Sequence, residues 1–304
     1  MQPFNVRILG CGSALPTLKH FSSSQIVEMR GKFFMIDCGE GTQIQVRRSR
    51  IYFNKISAVF ISHLHGDHCF GLIGLISTFG MLGRSTPLHV YAPKELGPIL
   101  QQQLDFFCAG LEYEVFFHSV DTTVSDVVYE DRSVIVKSIP LNHRIPCCGY
   151  MFSETPTLPH IRRDMIDFHN IPISQRDNIK NGADWITPEG KVIPNSWLTT
   201  SADRPRSYAY CSDTKYIPDL YKLLEGVDML YHEATYCSDN ESRASLYFHS
   251  TAKQAATVAL RANVKKLVLG HFSARYDNEK AILEEALKVF PNVSLANEMA
   301  VFDV

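Results

Sequence analysis

The chain has 304 residues with a formal net charge of −2, 45% hydrophobic and 20% charged, which excludes a chain-wide positive field for nucleic acid and describes an ordinary soluble globular enzyme with room for only a local basic patch. Eight cysteines without a C-x-x-C pair argue against a disulfide framework and read as reduced thiols of a cytoplasmic protein. The opening "MQPFNVRILG" lacks a basic-then-apolar leader, and no apolar run reaches membrane-spanning length, so neither export nor a membrane anchor is expected.

Taken in chain order, "NVRILG", "SQIVEM", "KFFMID" and "ISAVFIS" read as short strands rich in β-branched and aromatic residues and bounded by Gly, Ser or Asp. A helix "GLIGLISTFGMLG" follows, then a strand "LHVYA", a helix "KELGPILQQQLDFF" and strands "YEVFFH", "DVVYED" and "SVIVKSIPL". Residues 151–206 are richer in Pro, Asn, Asp and Thr with weak periodicity, and form an irregular insert within one domain spanning 1–304. Beyond it, "SYAYCSD" and "DMLYHEA" are strands flanking a helix "IPDLYKLLEG"; "TAKQAATVALRA" is a helix, "KKLVLGH" a strand and "NEKAILEEALKVF" a helix. Thr251 with Gln254 fits a capping box.

The stretch "ISHLHGDHCF" packs His63, His65, Asp67 and His68 into six positions. Burying three imidazoles and a carboxylate side by side without a cation costs several kcal/mol, so a purely structural role is a poor account of them. In an extended segment His63 and His65 share a face and can grip one ion, while Asp67 and His68, past the turn at Gly66, face another. Four ligands do not close two sites. His143, Asp213 and His271 each follow an apolar strand, at the carboxyl edge where α/β enzymes assemble their sites. A lone histidine at such a place is more often structural, but together these residues make seven ligands for two metals sharing a carboxylate. Imidazole and carboxylate without thiolate suit zinc, ahead of manganese, iron or cobalt.

"SHLHGDH" with the downstream His, Asp and His resembles the metallo-β-lactamase superfamily, whose fold is a four-layer αβ/βα sandwich with two mixed sheets and the metals at the strand ends. "DCGEGTQ" (37–43), "HEAT" (232–235), "FHST" (248–251) and "GHFSARY" (270–276) in joint order resemble the ribonuclease Z family of endonucleases that remove 3′ trailers from precursor tRNA. The similarity runs from "LGCGSALPT" to "GHFSARY". It implies two zinc ions: His63, His65 and His143 on one, Asp67, His68 and His271 on the other, and Asp213 bridging. It also implies Asp67 as general base, His249 as proton donor to the leaving oxygen, and Glu233 orienting a ligand or His249, with precursor tRNA as partner, no DNA and a homodimer. His232 reads as structural.

Two stretches depart from the family. Its P-x-K-x-R-N loop corresponds to "PTLKHF" (16–21), with Lys19 shifted by one and the Arg-Asn pair absent. Its arm carries a Gly-Pro element that "HNIPISQRDNIKNG" lacks, leaving Arg162, Arg163, Arg176 and Lys180, with "RRSR" (47–50), as phosphate contacts or simply solvated charge. The competing readings are a small-molecule phosphodiesterase of the same fold and a metal-stabilised, non-catalytic RNA-binding protein.

Overall fold

The computed structural model describes residues 3–304. In chain order the strands and helices of the first half are β1 Phe4–Gly10, β2 Ser24–Met29, β3 Lys32–Cys38, α1 Thr42–Arg48, β4 Ile56–Phe60, α2 Gly66–Cys69, α3 Leu72–Met81, β5 Leu88–Pro93, α4 Leu96–Phe107, β6 Val115–Val120, β7 Val127–Glu130, β8 Val134–Pro140 and β9 Cys148–Glu154. Next come β10 His160–Ile161, α5 Arg163–Phe168, α6 Ile173–Lys180, β11 Trp185–Ile186, β12 Val192–Ile193, α7 Asn195–Leu198 and β13 Thr199–Thr200. The chain ends with β14 Ser207–Cys211, β15 Met229–Glu233, α8 Glu241–Tyr247, α9 Ala252–Arg261, β16 Lys266–Gly270, α10 Lys280–Leu287, β17 Val293–Leu295 and β18 Val301–Asp303.

Two seven-stranded sheets carry the fold, ordered β18-β1-β2-β3-β4-β5-β6 and β17-β16-β15-β14-β9-β8-β7. Both are mixed: β3 to β6 run parallel beside antiparallel β1 and β2, and β14 to β17 run parallel beside antiparallel β9. Alternation explains the layering. From Ala58 onward in β4, Ala58 and Phe60 join the core between the sheets, while Val59 and the following Ile61 join a second core beneath α1, α3 and α4. In the first core Phe60 stacks on Tyr91 at 4.7 Å and meets Phe152 edge-on at 5.3 Å. On the other sheet α9 buries Ala252, Ala255, Ala256, Val258 and Ala259, small side chains that let the helix lie close. Its N-terminus carries the expected capping box, Thr251 accepting from the Gln254 amide. The arrangement is the αβ/βα sandwich expected from the sequence.

Two local expectations fail. The segment 217–226 is not an α-helix: successive i→i+3 bonds, such as Leu220 to Ile217 and Leu224 to Tyr221, make it a run of 3₁₀ turns. Pro218 supplies no donor, and Gly226 at φ 69° closes the segment at once. Strand β9 is absent from the sequence reading; it pairs with β14 through Tyr150 and Tyr210, so residues 151–153, read as insert, lie in the sheet.

The described residues separate into two compact units, one running from residue 3 to Ser153 and resuming at Arg206–Val304, the other Glu154–Pro205. The second has its own small core of Ile171, Ile179, Ile193 and Leu198, two two-stranded ladders, β10 with β13 and β11 with β12, and three short helices. Among the described residues no helix is long and apolar enough to cross a membrane.

Candidate metal centre and active site

Strand β4 ends at Phe60, and the chain stays extended through His65 before α2 turns at Gly66. That places His63 and His65 on the extended lead-in and Asp67 and His68 in the first turn. Asp213 lies just past β14, His143 past β8, and His271 past β16 in a left-handed conformation at φ 61°. Two groups form. Ligand atoms of His63, His65, His143 and Asp213 lie within 4.8 Å of one another, as do those of Asp67, His68, Asp213 and His271. Asp213 belongs to both: its Oδ2 is 3.7 Å from His63 Nε2 and 4.0 Å from His143 Nε2, and its Oδ1 is 3.4 Å from His68 Nε2 and 3.2 Å from His271 Nε2. All seven expected ligands converge.

The outward bonds of the rings orient them. His143 Nδ1 donates to the Phe248 carbonyl at 3.0 Å and His68 Nδ1 to Asp37 Oδ2 at 2.8 Å. His271 Nδ1 faces Thr235 Oγ1 at 2.9 Å and His63 Nδ1 faces Ser62 Oγ at 3.0 Å. A carbonyl and a carboxylate only accept, so Nδ1 of His143 and of His68 carries a proton and Nε2 is the atom that each ring turns inward to the carboxylate oxygens. The Asp67 and Asp213 carboxylates, crowded among these rings, call for a cation between them. His68 Nε2 and Asp213 Oδ1 are both buried without a hydrogen-bond partner among the described residues, which marks where that cation belongs. The donors therefore suit divalent metal ions.

The electrostatics agree. Burial opposes a charge on His68, yet Asp67, Asp213 and Asp37 together hold it well above the usual histidine range; three carboxylates ask for positive charge here. Burial likewise opposes ionisation of Asp67, but His68 and His271 outweigh it and hold the carboxyl far below its usual value. His63 is lowered, first by burial and then by His68. Burial pushes the Cys69 thiol up to about 11, so this neighbour offers no thiolate.

His249, after α8, faces the same centre. Its Nδ1 is 3.0 Å from Glu233 Oε1 and 3.9 Å from Asp213 Oδ2. Burial works against its charge, but Glu233 raises it and the pKa is pushed up to about 9. Glu233 is fully buried and accepts from the backbone amides of Thr214, Thr235 and Ser250 and from the Thr235 hydroxyl. It stays anionic and fixes the His249 ring. His232 turns away, its Nδ1 donating to the Glu233 carbonyl at 2.8 Å.

The centre opens into a cleft of about 840 Å³ whose lining includes Leu15, Phe70, Arg144, Tyr247 and Arg275. Arg144 lies over the Tyr247 ring at 5.0 Å. Of the basic residues singled out from sequence, Arg47 and Arg48 close α1 and are not among the residues lining the cleft, and Arg162, Arg163, Arg176 and Lys180 belong to the second unit. Lys19 turns to Glu279 instead of the cleft, at 2.5 Å.

Asp37 and Thr235 were missed as functional residues. Asp37 binds the Ser62 amide, the Ser62 and Tyr210 hydroxyls and His68; Thr235 joins Glu233 to His271. Asp37 closes an apolar strand in the same manner as Asp213, and that signal was available. Gly39 explains the rest of its motif: a Cβ there would lie 2.2 Å from the Asp67 carbonyl oxygen, so only glycine lets this loop pass beneath α2.

A family model described as anti-Pycsar protein Apyc1 matches residues 4–153. Ribonuclease Z of Bacteroides fragilis (strain ATCC 25285) is 56% identical over 298 residues, covering 98% of each chain. Among solved structures, human tRNase Z, short form, superposes with a TM-score of 0.70 at 25% identity over 98% of each chain. The metallo-β-lactamase fold protein YhfI from Bacillus subtilis gives 0.70 at 16% identity over 100% of each chain, which speaks for the fold alone.

Proposed function

The chain belongs to the ribonuclease Z family of metallo-β-lactamase-fold hydrolases, and from that membership we propose that it is a two-zinc endoribonuclease removing 3′ trailers from precursor tRNA. The observation that carries this reading is the shared Asp213, joined to three histidines on one side and to Asp67, His68 and His271 on the other. His63, His65 and His143 would hold one ion, Asp67, His68 and His271 the second, and Asp213 both. Imidazole and carboxylate donors favour zinc.

When bound, a pair of such ions supplies a water of lowered pKa and neutralises the non-bridging oxygens of a phosphodiester. The side chains do the rest. Asp67 keeps an ionised oxygen at the centre as proton acceptor. His249 has its Nδ1 tied to Glu233 and lines the cleft, so its Nε2–H is the proton held for the leaving ribose 3′-oxygen. The products are a tRNA ending in a 3′-hydroxyl and a trailer beginning with a 5′-phosphate. Arg144 and Arg275 at the cleft supply positive charge for the strand. The enzyme works in the cytoplasm as a homodimer, a reading supported by family resemblance.

Metal content and product ends test the reading together. Protein stripped with a chelator and titrated with zinc is expected to regain cleavage of a 3′-extended transcript as occupancy approaches two ions per chain. Full activity in stripped protein, or a trailer carrying a 5′-hydroxyl, would overturn it.

A further inference from the structure

The connection between β1 and β2 passes from Cys11 to Ser23, and its Ser13, Ala14, Leu15 and Pro16 form one wall of the catalytic cleft. Little lies beneath that wall, since Leu15 is 67% exposed. It is held at its ends. At one end Ser13 donates its amide to the Phe272 carbonyl at 3.2 Å and Phe272 donates to the Cys11 carbonyl at 3.0 Å. At the other end the chain is fastened by charge.

His20 is buried between two carboxylates, with Nδ1 2.9 Å from Glu298 Oε2 and Nε2 3.2 Å from Glu279 Oε1. Ionised carboxylates only accept, so both ring nitrogens donate and the ring is an imidazolium. Lys19 Nζ lies 2.5 and 2.7 Å from the two oxygens of the same Glu279. Glu298 also accepts the Phe21 amide at 2.9 Å. Two cations in consecutive positions thus meet two carboxylates, one opening α10 and the other between β17 and β18. The remaining titratable group facing the ring is Cys11, whose Sγ is 3.4 Å from His20 Nδ1. Burial, followed by the Glu298 and Glu279 charges, pushes its thiol well above the usual range, so it adds no charge. Burial opposes the His20 charge, but Glu298 and Glu279 outweigh it and raise its pKa.

We propose that Lys19, His20, Glu279 and Glu298 form an electrostatic clasp that fixes the 13–16 wall of the cleft, so that His20 is a positioning residue for the RNA strand and takes no part in hydrolysis. The idea rests on the tRNA-processing reading above. A buried charge array is a costly way merely to hold a loop, because apolar packing does so without desolvating ions. What the charges add is a single register for the chain, and the residues held in that register face the substrate.

The test uses the zinc-loaded full chain with two probes, a 3′-extended precursor tRNA transcript and bis(4-nitrophenyl) phosphate. His20→Gln is expected to raise KM for the transcript about tenfold, with kcat, zinc content and turnover of the small diester within about twofold of the parent. Lys19→Ala, at the surface and therefore harmless to folding, is expected to raise the same KM about threefold. Pairing His20→Gln with Glu298→Gln removes one charge of each sign and is expected to restore most of the lost KM. An unchanged transcript KM in His20→Gln and Lys19→Ala, loss of zinc and diester turnover along with it, or additive damage in the pair would each overturn the clasp alone. A parent chain that hydrolyses the diester yet never cuts the transcript would overturn the tRNA reading and the clasp with it.

Discussion

At the scale of single residues, the centre depends on side chains that never meet the substrate. Asp37 and His271 both sit in left-handed backbone, at φ 54° and 61°, conformations that cost a non-glycine residue about 1–3 kcal/mol. The strain aims Asp37 at His68 and His271 at Asp67 and Asp213. Asp37→Asn weakens the acceptor that fixes the His68 tautomer, and metal affinity is expected to fall about 10–100-fold; zinc titration with a competing chelator reads this directly, and unchanged affinity would remove Asp37 from the metal support. Glu233→Gln leaves the ligands in place but strips His249 of its counter-charge. Its kcat on precursor tRNA is expected to drop about 10²–10⁴-fold with both metals retained, whereas full activity at unchanged metal content would refute the role of this pair. The convergence of the seven proposed ligands was legible because each stands in the histidine-rich run or just after an apolar strand. Asp37 was equally placed, but lacking a histidine neighbour it read as part of a resemblance and not as a ligand support.

At the scale of elements, strong periodicity and caps were readable and irregular pieces were not. Helix α9 was legible because Thr251 and Gln254 announce its start; Thr251→Ala is expected to lower stability by about 1 kcal/mol, measured as the shift in denaturant midpoint, and no shift would mean the cap is compensated. The 3₁₀ run after β14 imitates a helix by composition but contains Pro218 and ends on Gly226. The clasp was illegible for a different reason: His20 meets partners 259 and 278 positions away, and nothing local signals such pairing. Its pH behaviour follows from the direction of each shift. His20 is raised, so its contribution is complete below the ordinary histidine pKa and lost as pH rises through the raised value. Glu279 and Glu298 are lowered, against burial, by hydrogen bonds from Lys19 and from His20 respectively, so theirs is lost only as pH falls through the lowered values. The gap in melting temperature between the parent and His20→Gln is therefore expected to be widest in mild acid and to close at alkaline pH; a gap independent of pH would mean the ring is held as a neutral group.

At the scale of the whole molecule, the two parallel runs β3–β6 and β14–β17 send several chain connections to one edge, and the centre is assembled there from segments far apart in sequence. The sandwich was legible because strands such as β4 alternate between two cores and read as continuous apolar runs. Substrate selection was less legible, since the family's loop and arm signatures are altered here and the loop's charges turn inward to Glu279 and Glu298. The central claim is that this edge cuts precursor tRNA with Asp67 as an indispensable group. The most direct measurement is incubation of a 3′-extended precursor tRNA with the zinc-loaded chain beside an Asp67→Ala control of verified fold. One cut near the discriminator base, absent with the control, is the expected result; an intact transcript in the presence of a hydrolysed small phosphodiester, or equal cleavage by Asp67→Ala, would contradict it.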